Sequence, residues 1–516
     1  SWNIFEDFQT TGVPLALKRD ATDGVQSVHV EVKHPDEINT LFDPAIVYAK
    51  GSRLMHMLRR WLGDDAFRKG LKAYFEKHQY GNTIGRDLWN ALGDASGRDV
   101  AAFMDSWLEQ PGYPVLTAVV ENDTLKISQK QFFIGEHEDQ GRQWVVPLNS
   151  NWSGIPDTLE TETLEIPGYA ALAAANSEPL RFNTENTAHY ITDYQGELLD
   201  AIVDNMASLD NLSKQQILQE RRLLAESGVI SYASLLPVIE KLTQETSYLV
   251  VSAVSSILQG LSLFVDEGTE VEAAYKKLLV TFNQFNFERL GFEPKAGEAD
   301  EDEMVRQLVI SNMIKGDDAK ASAKASEIYA AHADDISKLP AAIRLQILIN
   351  QIKHHESKEL TDLYLNTYAQ ATDGNFKRQL STALAYTTDA DTVEKILTEW
   401  KNKDVVKPQD LAMSWYFTFL HHEFTQESAW TWARENWEWV KAALGGDMSF
   451  DKFVIYPANT FKTAERLAEF KAFFEPQLSD MAISRNISMG IKEIAARVDL
   501  IQREKAAVEA AILATK

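Results

Sequence analysis

Residues 42–55 read FDPAIVYAKGSRLM, and apolar residues continue from them at mostly helical spacing through Met57, Leu58, Trp61 and Leu62. Pro44 suits the first turn of a helix or the loop before it, where its missing N–H is not needed. The spacing predicts that Tyr48 lies near the start of a buried helix. A tyrosine on an apolar face is usually a core residue whose hydroxyl finds a partner. The same placement lets the hydroxyl face a cleft, and the local pattern leaves both readings open.

Around this stretch, residues 1–112 read as mostly helical. SWNIFEDF at 1–8 is amphipathic and aromatic from Trp2 onward. AFRKGLKAYFEKH at 66–78 spaces Phe67, Leu71, Tyr74 and Phe75 on one face. Tyr80-Gly81-Asn82-Thr83 supplies a turn and a cap. Short apolar helices are predicted over 87–92 and 100–108, the first ended by Gly97. In MDSWLEQPGYPVL, Pro111, Gly112 and Pro114 stop the helix and change the habit of the chain.

Residues 113–182 read as β. LTAVVENDTLKISQKQF alternates about an Asn122-Asp123 turn, a hairpin pattern. QWVVPL at 143–148 and residues 161–166 are further strand candidates, and a small β-sandwich fits. Residues 183–516 read as helical. Ser213 with Gln216 has the form of a capping box before ILQERRLLAE. Amphipathic helices follow, joined by short polar breaks without a crisp repeat period; they suggest an α-solenoid. The fold class is thus mainly α with a small β domain. Trp430, Trp432, Trp437 and Trp439 could line a ligand box, but such clusters more often pack helices together.

Composition narrows the function classes. The formal net charge of −25 opposes binding to nucleic acid and to anionic membrane. No apolar run reaches the roughly 18 residues needed to cross a bilayer. The chain has no cysteine, which excludes disulfides and thiolate metal sites and fits a reducing compartment, so a cytoplasmic protein is expected. His354-His355 and His421-His422 are neighbours, which point apart on a helix. The acidic runs EADEDEM and DADTVEKIL lack calcium-loop spacing and read as solvated faces.

Several stretches share one resemblance. Y-x-K-G after F-D at 42–51 is similar to the tyrosine segment of the zinc aminopeptidases of the aminopeptidase N type, a gluzincin family. YFEKHQYGNTIGRDLWNAL, the W-x-x-Q-P-G-Y-P-V exit at 107–115 and PLRFNTENTAHYITDY at 179–194 also resemble that family. So do LGFEPKAGE at 290–298, the tryptophan helix at 428–446 and the terminal RNISMGIKEIAARVDLIQREK. The resemblance implies that 1–112 is the helical remainder of a thermolysin-like catalytic domain. It implies a small β-sandwich at 113–182 and an α-helical superhelix at 183–516. It also implies peptide substrates, zinc as cofactor, and a Tyr48 hydroxyl that stabilises the tetrahedral intermediate.

The family's metal chemistry is missing. H-E-x-x-H places two zinc ligands one helical turn apart with a glutamate that activates water. His137-Glu138, His355-Glu356 and His422-Glu423 each lack the second histidine. No G-x-M-E-N segment occurs. The expectation is a C-terminal portion cut just after its zinc site, binding no zinc and probing as inactive by itself, with Tyr48 as its one catalytic residue. The alternative, of another class, is a non-catalytic α-solenoid that binds a protein partner on its concave face.

Overall fold

The computed structural model describes residues 4–32, 35, 38–447 and 449–515, the side chains of 39 and 40 excepted. Trp2 of the aromatic start lies outside the described residues. The chain divides into two compact units, residues 1–242 and 243–516. The boundaries expected near 112 and 182 fall inside the first unit.

In the first unit, helices run over Ile4–Thr10, Gly12–Asp20, Gly51–Leu62, Asp64–His78, Gly85–Ser96 and Val100–Leu108. Asp64 and Asp65 open the fourth of these and Lys77 and His78 close it, each end matching the helix dipole. Along it Phe67, Leu71 and Tyr74 are half-buried, but Phe75 is exposed, one step of about 100° off that face. Gly70 is where the next helix approaches: a Cβ there would stand 2.8 Å from Leu92 Cα. The predicted cap at Thr83 lies one residue later. Asp87 accepts from Ile84 N at 3.0 Å, while Thr83 Oγ1 is 2.7 Å from the Tyr74 hydroxyl. Gly97 ends the helix in the left-handed region, as expected.

The hairpin forms as predicted. β1 (Pro114–Glu121) and β2 (Thr124–Gln131) pair antiparallel about Asn122 and Asp123, both at positive φ, the geometry that suits tight hairpins. β5 (Thr163–Pro167) flanks β2, and β6 (Ile191–Tyr194) runs parallel to β1, giving the order β5-β2-β1-β6. β3 (Val146–Pro147) and β4 (Thr158–Leu159) form a separate pair. The strand expected over 143–148 is this short because a side chain displaces the ladder. Gln129 accepts from Trp144 N at 2.9 Å and donates to Trp144 O at 3.0 Å. The helix Asn211–Ser227 also starts earlier than the expected capping box. Asp210 is its cap and accepts from Ser213 N at 2.9 Å, while Gln216 bonds Glu220 instead.

The second unit is helical. Helices Glu270–Leu290 and Asp302–Lys315 pack together, as do Ala319–Ala331 with Arg344–His355 and Arg344–His355 with Gly374–Leu384. The polar breaks supply the caps: Asp318, Ser357, Asp373, Asp389 and Thr463 each accept a backbone N–H of the helix that follows. The terminal helix, Ser484–Ala514, packs on Lys452–Thr460 and Ala464–Phe474 and also on Glu270–Leu290. Its Lys505 reaches Asp266 at 2.5 Å.

The tryptophans are packing residues. Trp430 is fully buried with Phe461, Phe473 and Phe474 around it, and Trp432 meets Trp400 edge-on at 5.0 Å. The acidic run EADEDEM at 298–304 is more than a solvated face. Asp302 is buried and holds Arg289 at 2.6 Å, and Glu298 holds the buried Arg306 at 2.5 Å. Among the described residues no helix is long and apolar enough to cross a membrane.

Candidate active-site tyrosine and its support

Asp43 starts the local structure. Its backbone carbonyl accepts from Ile46 N and Val47 N, its carboxylate accepts from Ala45 N at 3.0 Å, and Arg19 Nε grips the other oxygen at 2.6 Å. Pro44 follows in helical conformation. The chain then makes one π-helical turn, Ala45–Lys50, before entering Gly51–Leu62, with Gly51 N bonded to Ile46 O five residues back. Single π turns inside helices occur often at functional sites.

The turn sorts its residues sharply. Ala45, Ile46, Ala49 and Lys50 are buried, whereas Tyr48 is 58% exposed. The structure thus places the tyrosine on the surface, before the buried helix and not within its core. Its ring rests edge-on against Phe42, centroids 5.5 Å apart. Among the described residues no hydrogen bond engages this hydroxyl, so it can donate to a ligand.

Beneath it lies a buried polar cluster. Lys50 Nζ donates to Gly112 O at 3.0 Å and stands 2.8 Å from Asp20 Oδ2, with both side chains fully buried. Asp20 also takes Gly112 N at 3.0 Å and His189 Nε2 at 2.9 Å. Burial alone would raise the Asp20 pKa, but the Lys50 ammonium and the His189 bond outweigh it and hold the carboxyl below its usual value. Burial pushes His189 down to about 4, which favours the neutral ring; among the described residues its Nδ1 has no hydrogen-bond partner.

Arg53, five residues after Tyr48, donates to Asn186 O at 3.1 Å, Asn186 Oδ1 at 2.9 Å and Ala188 O at 2.5 Å. Burial lowers its guanidinium to about 10. Burial likewise lifts Glu220, which accepts from Thr192 N and Gln216, to about 7.

Gly112 lets these parts meet. Its φ is +84°, and a Cβ would collide with the Gln131 side chain. The sequence pattern proposes Tyr48 as a candidate; it does not point to Lys50, Asp20, His189 or Arg53, which are buried near it in the fold. The available signal was a lysine set among apolar residues, an arrangement that requires a buried partner.

Among the described residues no three His, Cys, Asp or Glu side chains come together to hold a metal ion. His137 stacks on Phe133, His355 contacts Ser326 Oγ at 3.2 Å, and the His422 ring meets Tyr386 at a tilt of 52°. These residues do not fit a catalytic zinc.

The model of the Peptidase family M1 domain matches residues 1–107, and that of the ERAP1-like C-terminal domain matches residues 180–496. The chain belongs to the gluzincin peptidases of the aminopeptidase N type that carry this C-terminal domain. It is 62% identical over 514 residues to an aminopeptidase N of Lactococcus lactis subsp. lactis, covering 99% of this chain and 60% of that protein. It is 53% identical over 513 residues to one from Lactococcus lactis subsp. cremoris strain MG1363, with the same 99% and 60% coverage. An aminopeptidase N of Lactobacillus helveticus is 43% identical over 512 residues, covering 99% of this chain and 60% of that protein. The chain thus spans about 60% of the length of these curated relatives.

Proposed function

We propose that the chain is the C-terminal portion of a zinc-dependent aminopeptidase that hydrolyses N-terminal residues from peptides. The zinc ligands are supplied by sequence that precedes the chain. Residues 1–112 form the helical remainder of a thermolysin-like catalytic domain, 113–182 a β-sandwich, and 183–516 a superhelical domain that limits access to peptides. The Tyr48 hydroxyl donates to the oxygen of the scissile carbonyl as negative charge develops on it, the moment at which a fixed donor contributes most.

One observation carries this reading: Tyr48 presents its hydroxyl from a rigidly founded π-helical turn, not from the core. The aminopeptidase N relatives, aligned over 99% of the chain, support an enzyme over a non-catalytic α-solenoid scaffold.

Tyr48→Phe in the full-length enzyme tests it. The substitution removes one hydroxyl and keeps the ring on Phe42. Loss of a single oxyanion donor typically costs about 3–4 kcal/mol, roughly a hundredfold to a thousandfold in kcat, with little change in KM. Zinc content and melting temperature should stay at parent values. A kcat within about threefold of the parent, under 1 kcal/mol, would remove Tyr48 from the mechanism.

A further inference from the structure

The residues flanking Tyr48 are fixed to parts of the chain far from it. Lys50 reaches back to Asp20 and forward to Gly112 O, 62 positions away. Arg53 docks on the carbonyls of Asn186 and Ala188. The segment that receives Arg53 is itself built with care. Asn183, Glu185 and Asn186 all have positive φ, a conformation that side chains rarely adopt and that persists only where the surroundings enforce it. Asn183 does so here, donating to Ala188 O at 2.9 Å and accepting from Ala188 N at 2.7 Å. His189 then joins this segment to Asp20.

Two features separate this cluster from ordinary packing. A buried ion pair is seldom retained for stability alone, because apolar residues of similar volume serve as well or better. Lys50, its basic member, also lies inside the π turn, two residues from an exposed tyrosine whose one ring neighbour among the described residues is the part-exposed Phe42. The exposed ring cannot hold its own direction; the backbone under it must.

We propose that Lys50 is a positioning residue for Tyr48. Its ammonium, shared between Asp20 and Gly112 O, sets the pitch of the turn and so aims the tyrosine hydroxyl. Lys50 touches no reacting group in this scheme. The segment from Gly112 to the start of β6 is then part of the active-site foundation. The inference rests on the proposed role of Tyr48.

The test uses the full-length enzyme and two Lys50 variants. Asp20→Asn/Lys50→Met removes both charges, so neither is left buried and unpaired. Lys50→Arg keeps the charge beside Asp20, but its planar fork cannot place one nitrogen where the ammonium sits. In a folded variant kcat should fall about tenfold or more while KM stays within about twofold. The same substitutions in a Tyr48→Phe background should lower kcat by less than about threefold, because the hydroxyl they would misaim is gone. A residue of stability alone would cost the same in both backgrounds.

A folded Lys50 variant with kcat within about threefold of the parent overturns the proposal, as does an equal loss in both backgrounds. Failure of both variants to fold also counts against it, making Lys50 a stability residue only. Tyr48→Phe alone separates the two readings. If that variant keeps its kcat, the role of Tyr48 fails and the positioning role falls with it. If it loses kcat and the folded Lys50 variants do not, only the positioning role fails.

Discussion

Tyr48 and Lys50 stand two residues apart in one turn and occupy opposite environments, one 58% exposed and the other fully buried. The tyrosine could be proposed from sequence because the pattern around it is short and linear. The burial of Lys50 was not, because its partners come from positions 20 and 112 and no local periodicity reports them. The same holds for Glu220 and His189, whose shifted pKa values arise from burial that only the assembled fold creates.

These two groups make opposed contributions to stability. Glu220 has a folded value of about 7, above its unfolded value near 4.5. The native state therefore holds the extra proton between those values, and the contribution is lost as pH rises through about 7. His189 has a folded value of about 4, below 6.5. Its contribution is complete above 6.5 and is lost as pH falls towards 4. Each amounts to about 3 kcal/mol at most, from about 1.4 kcal/mol per pKa unit. Glu220→Gln should leave the histidine unopposed. Melting temperature should then rise more steeply between pH 5 and about 7 than in the parent. Parallel pH–melting curves for the two proteins would show that Glu220 does not titrate in this window.

At the scale of elements, caps and junctions decide where structure begins and ends. The hairpin at 122–123 and the tryptophan helices were readable from residue type, since turn chemistry and aromatic packing act locally. The shortened β3 was not, because a glutamine from the neighbouring strand takes the backbone groups of Trp144. Gly112→Ala should destabilise the first unit by about 1–2 kcal/mol from the left-handed backbone alone. The collision with Gln131 adds to this, and a denaturant titration of the whole chain measures the sum. In the second unit Trp430→Ala should cost about 3–5 kcal/mol, because it empties a fully buried site between Phe461 and Phe474. A loss below about 1 kcal/mol would mean that the helices collapse into the space.

At the scale of the whole molecule, the division falls between Leu242 and Thr243. Residues 243–516 are expected to fold alone, with helical circular dichroism and a single cooperative melt; a broad, non-cooperative transition would contradict this. The 516-residue chain by itself should hold no stoichiometric zinc and release no product from an aminoacyl anilide. Metal analysis showing one tightly held zinc per chain, with activity, would overturn the proposed placement of the ligands. The mainly helical class was legible because amphipathic spacing persists over most of the chain. The place of the division was not, since it depends on which helices touch.

The return of Ser484–Ala514 to Glu270–Leu290 has a consequence for biosynthesis. Lys505 and Asp266 are 239 positions apart. At roughly 5–20 residues per second, a ribosome needs on the order of 10–50 s to make the sequence between them. For that interval the emerging Glu270–Leu290 helix lacks one of its covering surfaces. Nascent chains stalled before residue 484 should be cut by protease within or beside that helix, and chains released at full length should resist.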